Sequence, residues 1–304
     1  MVSKISSFIS LAIILMIIGI GAEPSSEISE ADVKAGLALL EKTVCGNVDL
    51  DAEKGIDDVN ISNYPWTALI IYMDRDEKKP LCGGSLIHER YVLTAAHCAR
   101  VHGESLKLVS VRLGGFNVDT QICDKSKKCG PRVQEIDVEK VIHHKDYNGR
   151  KLSNDIGLVR LAKNAEISTN VKPICLPIKP VSTPTDFSEM IMLTAGWSVF
   201  ENRRNSKNNP GILEMAAISV KPIEYCKEHF DKLPLNKNEI CGVGNTCKGD
   251  SGGPLFNRSK DGDMLYTQYG ISSGGDILCD SNSTGVFVNV AEYLPWIASN
   301  LKES

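Results

Sequence analysis

Apolar residues in this chain fall into short blocks whose period changes along its length. Leu11 to Ile20 is an apolar run, preceded by Lys4 and closed by Ile20-Gly21-Ala22. A positive start, a short apolar centre and a small final residue form the pattern of a secretory signal peptide cleaved after Ala22. The run is shorter than the ~20 residues that span a bilayer. From Ala31 to Leu40 the pattern predicts one amphipathic helix, too short to hold a core of its own. Further on, the blocks become those of strands. Thr67–Tyr72 follows Pro65-Trp66, Gly84–Ile87 and Tyr91–Leu93 surround a hairpin, and Leu108–Leu113, Val138–Ile142 and Ile156–Leu161 alternate. Met190–Trp197 opens the second half, and Ala291–Leu301 predicts a closing helix with Trp296 turned towards the body. Short strands between turn clusters predict an all-β fold, with nothing that demands a parallel sheet.

The chain then divides into a signal peptide at 1–22, a short acidic propeptide at 23–54 and a single domain at 55–304. A net charge of -4 over 304 residues points neither to nucleic acid nor to an anionic membrane. Ten cysteines behind a signal peptide read as disulfides of a secreted, extracellular protein, although spacing alone does not give their pairing. Asn60, Asn257 and Asn282 begin Asn-x-Ser/Thr sequons and are candidate glycosylation sites.

Three segments carry chemistry. Cys247-Lys248-Gly249-Asp250-Ser251-Gly252-Gly253-Pro254 places a serine among glycines, directly after an aspartate. Leu93-Thr94-Ala95-Ala96-His97-Cys98 supplies a histidine, and Asn154-Asp155-Ile156-Gly157-Leu158 an aspartate. A serine hydroxyl needs an adjacent base to take its proton as it attacks a carbonyl. An imidazole titrates near neutrality and can do this, and a carboxylate holds it in the useful tautomer. Singly, each segment reads equally well as a turn, a structural histidine or a buried aspartate. In the order His97, Asp155, Ser251 the set resembles the trypsin/chymotrypsin-like serine proteases, from about Cys45 to the C-terminus. Within them it is most similar to the extracellular clip-type proteases of arthropod cascades (easter-like or venom enzymes), here without a clip domain. The resemblance implies two six-stranded antiparallel β-barrels with the active site between them and a C-terminal helix. It implies backbone N–H groups of Gly249 and Ser251 as the oxyanion hole. It implies five disulfides: Cys45–Cys175, Cys82–Cys98, Cys123–Cys129, Cys226–Cys241 and Cys247–Cys279.

The chain departs from that family in two places. Relatives are cut after Arg or Lys before an Ile-Val-Gly-Gly-like start, whose new amino group pairs with the aspartate preceding the nucleophile, here Asp250. Counting back from Pro65-Trp66 puts that start near Glu53, where the chain reads Asp51-Ala52-Glu53-Lys54-Gly55-Ile56-Asp57-Asp58. The pocket base, an aspartate in trypsin-like members, is Asn245, followed by Thr246. A neutral amide does not compensate a buried guanidinium, so strong Arg/Lys selectivity is not expected. Gly275 and Gly285 are the expected pocket walls, Ser273 lines the substrate main chain, and Gly274 replaces an aromatic. Gly115 stands where a calcium-binding acid is common in some clip-type relatives, so no metal is expected, nor any other cofactor. The expectation is a monomeric secreted serine endopeptidase acting on protein substrates. An upstream protease would activate it and serpin-type inhibitors would control it. The alternative is a catalytically silent homologue that acts as a binding regulator or decoy.

Overall fold

The structure is a computed structural model that describes residues 28–48, 64–100, 106–115, 133–178, 187, 190–197, 213–245, 250–258, 265–276 and 282–303. The proposed signal peptide, the segment around Lys54, Asn60, Cys123, Cys129, Thr246, Cys247, Gly249 and Cys279 lie outside the described residues.

Twelve strands close into two antiparallel barrels. The first contains β1 (Thr67–Asp74), β2 (Glu77–His88), β3 (Tyr91–Thr94), β4 (Leu106–Leu113), β5 (Gln134–His143) and β6 (Gly157–Leu161), in the order β1-β2-β3-β6-β5-β4. The second contains β7 (Ile191–Gly196), β8 (Glu214–Lys221), β9 (Glu239–Gly244), β10 (Pro254–Arg258), β11 (Tyr266–Gly275) and β12 (Thr284–Asn289), in the order β10-β11-β12-β9-β8-β7. The predicted all-β fold with paired six-stranded barrels is therefore the observed one. β1 reads as a continuous apolar run because both its faces are covered: Thr67 through Tyr72 are all buried. β5 alternates because one side meets water.

The barrels meet over a mixed seam. Trp66, just before β1, packs edge-on to Phe256 of β10 at 5.3 Å and lies 5.3 Å from Tyr266 of β11. Ser85 of β2 hydrogen-bonds Gln268 of β11, whose amide also donates to Gly270 O at 2.9 Å, so the buried Gln268 amide is partnered across the seam. The second barrel has its own core of Met192, Ile218, Val220, Ile240, Leu255, Tyr269 and Phe287.

Helix α1 (Glu30–Lys42) docks on the C-terminal end of the chain. There a 3-10 turn (Val290–Tyr293) leads into a helix, Leu294–Asn300, with Trp296 and Ile297 buried as the pattern predicts. The docking surface explains Gly36: a Cβ there would lie 1.9 Å from Ala298 O. Leu40 is buried in the same interface, and Lys302 pairs with Asp32 at its edge. Beyond α1, Cys45–Cys175 ties the segment to the connection between the barrels, where Cys175 bridges to Thr267 of β11, and Gly46 donates to Pro173 O at 2.8 Å and accepts from Tyr266 N at 3.0 Å.

Candidate active site

β3 runs through Ala95 into a one-turn helix, α2 (Ala96–Ala99), with His97 at its second position. The turn is pinned from three sides. Cys98 is bonded to Cys82 in β2, its carbonyl accepts the Tyr72 hydroxyl at 2.6 Å, and Arg100 N donates to Ala96 O at 2.7 Å. Burial drives the Tyr72 phenol pKa well above its usual range. A different loop delivers Asp155. Leu152 and Asn154 both take left-handed backbone, at φ 50 and 54, and turn the chain just before β6. Tyr293 holds that turn by donating to Asn154 Oδ1 at 2.9 Å.

The Asp155 carboxylate is fully buried and collects three donors. Its Oδ1 accepts the His97 backbone N–H at 2.8 Å, and its Oδ2 accepts His97 Nδ1 at 2.7 Å and the Ser273 hydroxyl at 2.6 Å. With Nδ1 donating to the carboxylate, Nε2 of the ring is left as an acceptor on the 26 % exposed side chain. Burial, and after it the Asp155 charge, pushes the Tyr147 phenol up to about 12.

The serine loop reaches the same place by backbone contacts. Gly83 N of β2 donates to Ser251 O at 2.8 Å, and the Cys98 sulfur lies 3.6 Å from that oxygen. A disulfide sulfur has no proton, so the second contact is packing. Gly252 N donates to Ser272 O at 2.8 Å. Ser272 therefore holds the serine loop while its neighbour Ser273 holds Asp155, so one edge of β11 aligns both. Gly252 has φ 79, and a Cβ on it would lie 2.2 Å from Thr94 Oγ1, so only glycine fits the turn.

Asp250 is buried against Gly196, where a Cβ would come within 2.2 Å of Asp250 Oδ1. Beside it lies a cavity of about 10 Å³, lined by Thr194, Gly196, Glu214, Met215, Ala216, Asn245 and Asp250. Asn245 sits at the end of β9 with its side chain exposed. Gly275 pairs in register with Gly285, and a Cβ on Gly275 would meet Thr284 O at 2.6 Å and Gly285 Cα at 3.0 Å, so a side chain at 275 would collide with the facing strand. Next to them Asp276 accepts Thr284 N and His229 Nε2, each at 2.8 Å. Burial acts to raise the Asp276 pKa, and these donors outweigh it and lower it.

Some contributors carry no sequence signal. Leu152 lies over Gly274, where a Cβ would meet Leu152 Cδ1 at 2.7 Å, so an aliphatic from the Asp155 loop takes the space above that glycine. The bracing of Asp155 by Ser273 depends on long-range pairing and could be found only by matching the Ser-Gly-Gly at β11 to the family pattern. Glu135 is committed to an ion cluster, with Lys78 at 2.6 Å, Ser110 at 2.8 Å and Arg112 at 3.0 Å. Cys82, His97 and Cys98 bring ligand-type atoms within 4.8 Å of one another, but both sulfurs are in a disulfide and offer no thiolate. A third described disulfide, Cys226–Cys241, joins α3 (Ile223–His229) to β9. Asn257 Nδ2 donates to Ile191 O at 3.0 Å, and Asn282 is exposed.

Paired closed barrels, with a histidine and an aspartate from one and a glycine-flanked serine loop from the other, make this a chymotrypsin-like protein. A family model described as Trypsin matches residues 54–297, and the chain belongs to that family. It is 32% identical to "Serine protease grass" of Drosophila melanogaster, over 91% of this chain and 75% of that protein. It is 35% identical to "Phenoloxidase-activating factor 3" of Holotrichia diomphalia, over 89% and 78%. Among solved structures it is similar to the Drosophila Grass clip serine protease of the Toll pathway, with a TM-score of 0.71 and 31% identity over 86% of this chain and 76% of that one.

Proposed function

We propose that this chain is a secreted serine endopeptidase of an extracellular proteolytic cascade, hydrolysing peptide bonds through an acyl-enzyme on Ser251. The observation that carries this reading is the fully buried Asp155 carboxylate holding His97 through both its backbone N–H and its Nδ1. In the proposed cycle His97 Nε2 takes the Ser251 proton as the hydroxyl attacks the substrate carbonyl. It then returns that proton to the leaving amine. Asp155 stabilises the imidazolium, and the N–H groups of Gly249 and Ser251 receive the oxyanion. Water then hydrolyses the ester, with His97 again acting as base.

Secretion is supported by the apolar leader ending at Ala22 and by the disulfides, which persist in oxidising compartments. No helix of the described residues is long and apolar enough to cross a membrane. Division into a leader at 1–22, a propeptide at 23–54 and a catalytic domain at 55–304 is part of the same reading. So are the remaining pairs Cys123–Cys129 and Cys247–Cys279, and glycans on Asn60, Asn257 and Asn282. Activation would require a new amino terminus to reach buried Asp250, although the chain has no Ile-Val-Gly-Gly start. The pocket, with Asn245 and Thr246 at its base, would disfavour Arg or Lys beside the scissile bond.

The test is a fluorophosphonate probe applied to the secreted protein before and after limited proteolysis, with N-terminal sequencing of each band. Labelling of Ser251 after a cut near Lys54 supports the proposal. No labelling in any form refutes it and makes the chain a catalytically silent homologue that acts through binding.

A further inference from the structure

Where the end of α1 meets the first barrel, the structure forms a groove of about 560 Å³. One wall is the end of the N-terminal segment, including Leu39, Thr43 and Val44. The other comes from the barrel: the turn at His88 and Glu89, then Ile167, Lys172 and Pro173. No residue of the candidate active site lines it.

The lining chemistry is specific. Val44 is 78% exposed and Ile167 is 52% exposed, so each wall presents an aliphatic side chain to solvent. Lys42 and Lys172 border them, and neither is ion-paired among the described residues. The acid on the rim, Glu89, already accepts Asn164 Nδ2 at 2.8 Å. Aliphatic side chains framed by two lysines complement a segment with apolar anchors and flanking carboxylates.

The walls are also fixed before anything binds. Cys45–Cys175 joins them covalently, Gly46 N donates to Pro173 O at 2.8 Å, and Ala165 N holds Glu89 O at 2.7 Å. A preformed groove spares the ordering cost that a mobile one carries. The disulfide also spans the stretch around Lys54, so a backbone cut there leaves both walls attached.

We propose that this groove is a docking site for an acidic, apolar-anchored segment of a partner protein, available both before and after cleavage of the chain. The proposal does not depend on catalysis. The experiment is fluorescence anisotropy of the full secreted protein with short fluorescein-labelled peptides. In these peptides paired leucines, at spacings from adjacent to one helical turn, are flanked by aspartates. Control peptides carry lysine for aspartate or alanine for leucine. At least one aspartate peptide is expected to bind saturably and more weakly at high salt. Lys42→Glu with Lys172→Glu weakens it about tenfold, since two attractions become repulsions. Val44→Asp with Ile167→Asp abolishes binding, and Ser251→Ala leaves it unchanged. Lys42, Val44 and Ile167 are exposed and Lys172 is half-buried, and unchanged thermal melting separates loss of binding from loss of fold. Absence of saturable binding across the set overturns the proposal, as does equal binding of the lysine peptides. Self-association in sedimentation that Ile167→Asp abolishes also overturns it and assigns the face to a second copy of the chain.

Discussion

Substituting Gly36 by alanine sets two forces of similar size against each other. Within a helix, alanine is favoured over glycine by about 1 kcal/mol, and Gly36 lies well inside α1. Against this, the new Cβ would stand 1.9 Å from Ala298 O, 2.5 Å from its carbonyl carbon and 2.7 Å from its Cα. All three are backbone atoms, so no side-chain rotation relieves the overlap. Ordinary contact requires the helices to separate by roughly 1.5 Å, and a gap of ~1 Å already forfeits up to about half of the packing attraction across an interface. Burial of a leucine such as Leu40 contributes about 1.5–3 kcal/mol, and Leu40 is not the only side chain in that interface. The loss therefore exceeds the propensity gain, and docking of α1 is expected to weaken by about 1–2 kcal/mol. The readout is hydrogen exchange of the α1 amides, about tenfold faster in Gly36→Ala, with the barrel amides unchanged because Cys45–Cys175 still tethers the segment. Slower exchange in α1 together with a higher melting temperature would refute the reasoning, since propensity would then outweigh contact.

Four further outcomes are expected. Asp155→Asn presents an amide where His97 needs an acceptor and slows fluorophosphonate labelling by up to about 10⁴-fold. Ser273→Ala removes one of the three donors and slows it by about tenfold, and equal effects of the two substitutions would contradict their separate roles. At Glu135, burial acts to raise the carboxyl pKa, but Lys78, Ser110 and Arg112 outweigh it and hold it at about 2. That stabilisation is present above the unfolded value of about 4.3 and is lost as pH falls through the folded one. Glu135→Gln therefore lowers the melting temperature at pH 7, and the difference from wild type closes near pH 2. At Glu239 the sign reverses. Burial raises its pKa, only partly offset by Asn236 N–H, so its charge opposes folding at neutral pH. Glu239→Gln is expected to melt higher than wild type at pH 7, with the advantage gone below the unfolded carboxylate range, as followed by circular dichroism.

What the sequence determined by itself is local. Period and flanking turns are short-range properties, so β1, β4, β6, β7, α1 and the final helix lie where apolar patterning predicts them. Strands such as β9, β11 and β12 were less legible. Their segments carry glycines and buried polar residues such as Gln268 and Ser273, whose partners Ser85 and Asp155 lie far away in the chain. The candidate site residues were also legible, because His97, Asp155 and Ser251 each sit in a short distinctive segment. Tertiary structure decided how they are held. Ser272 and Ser273 align the serine loop and Asp155 only because β11 lies at the seam. Leu152 reaches Gly274 only through two left-handed residues that no composition rule marks. Glycine at 36 is a packing requirement set by a helix more than 250 residues away. Pairing and close approach depend on which segments meet, and that is settled when the two barrels close against each other.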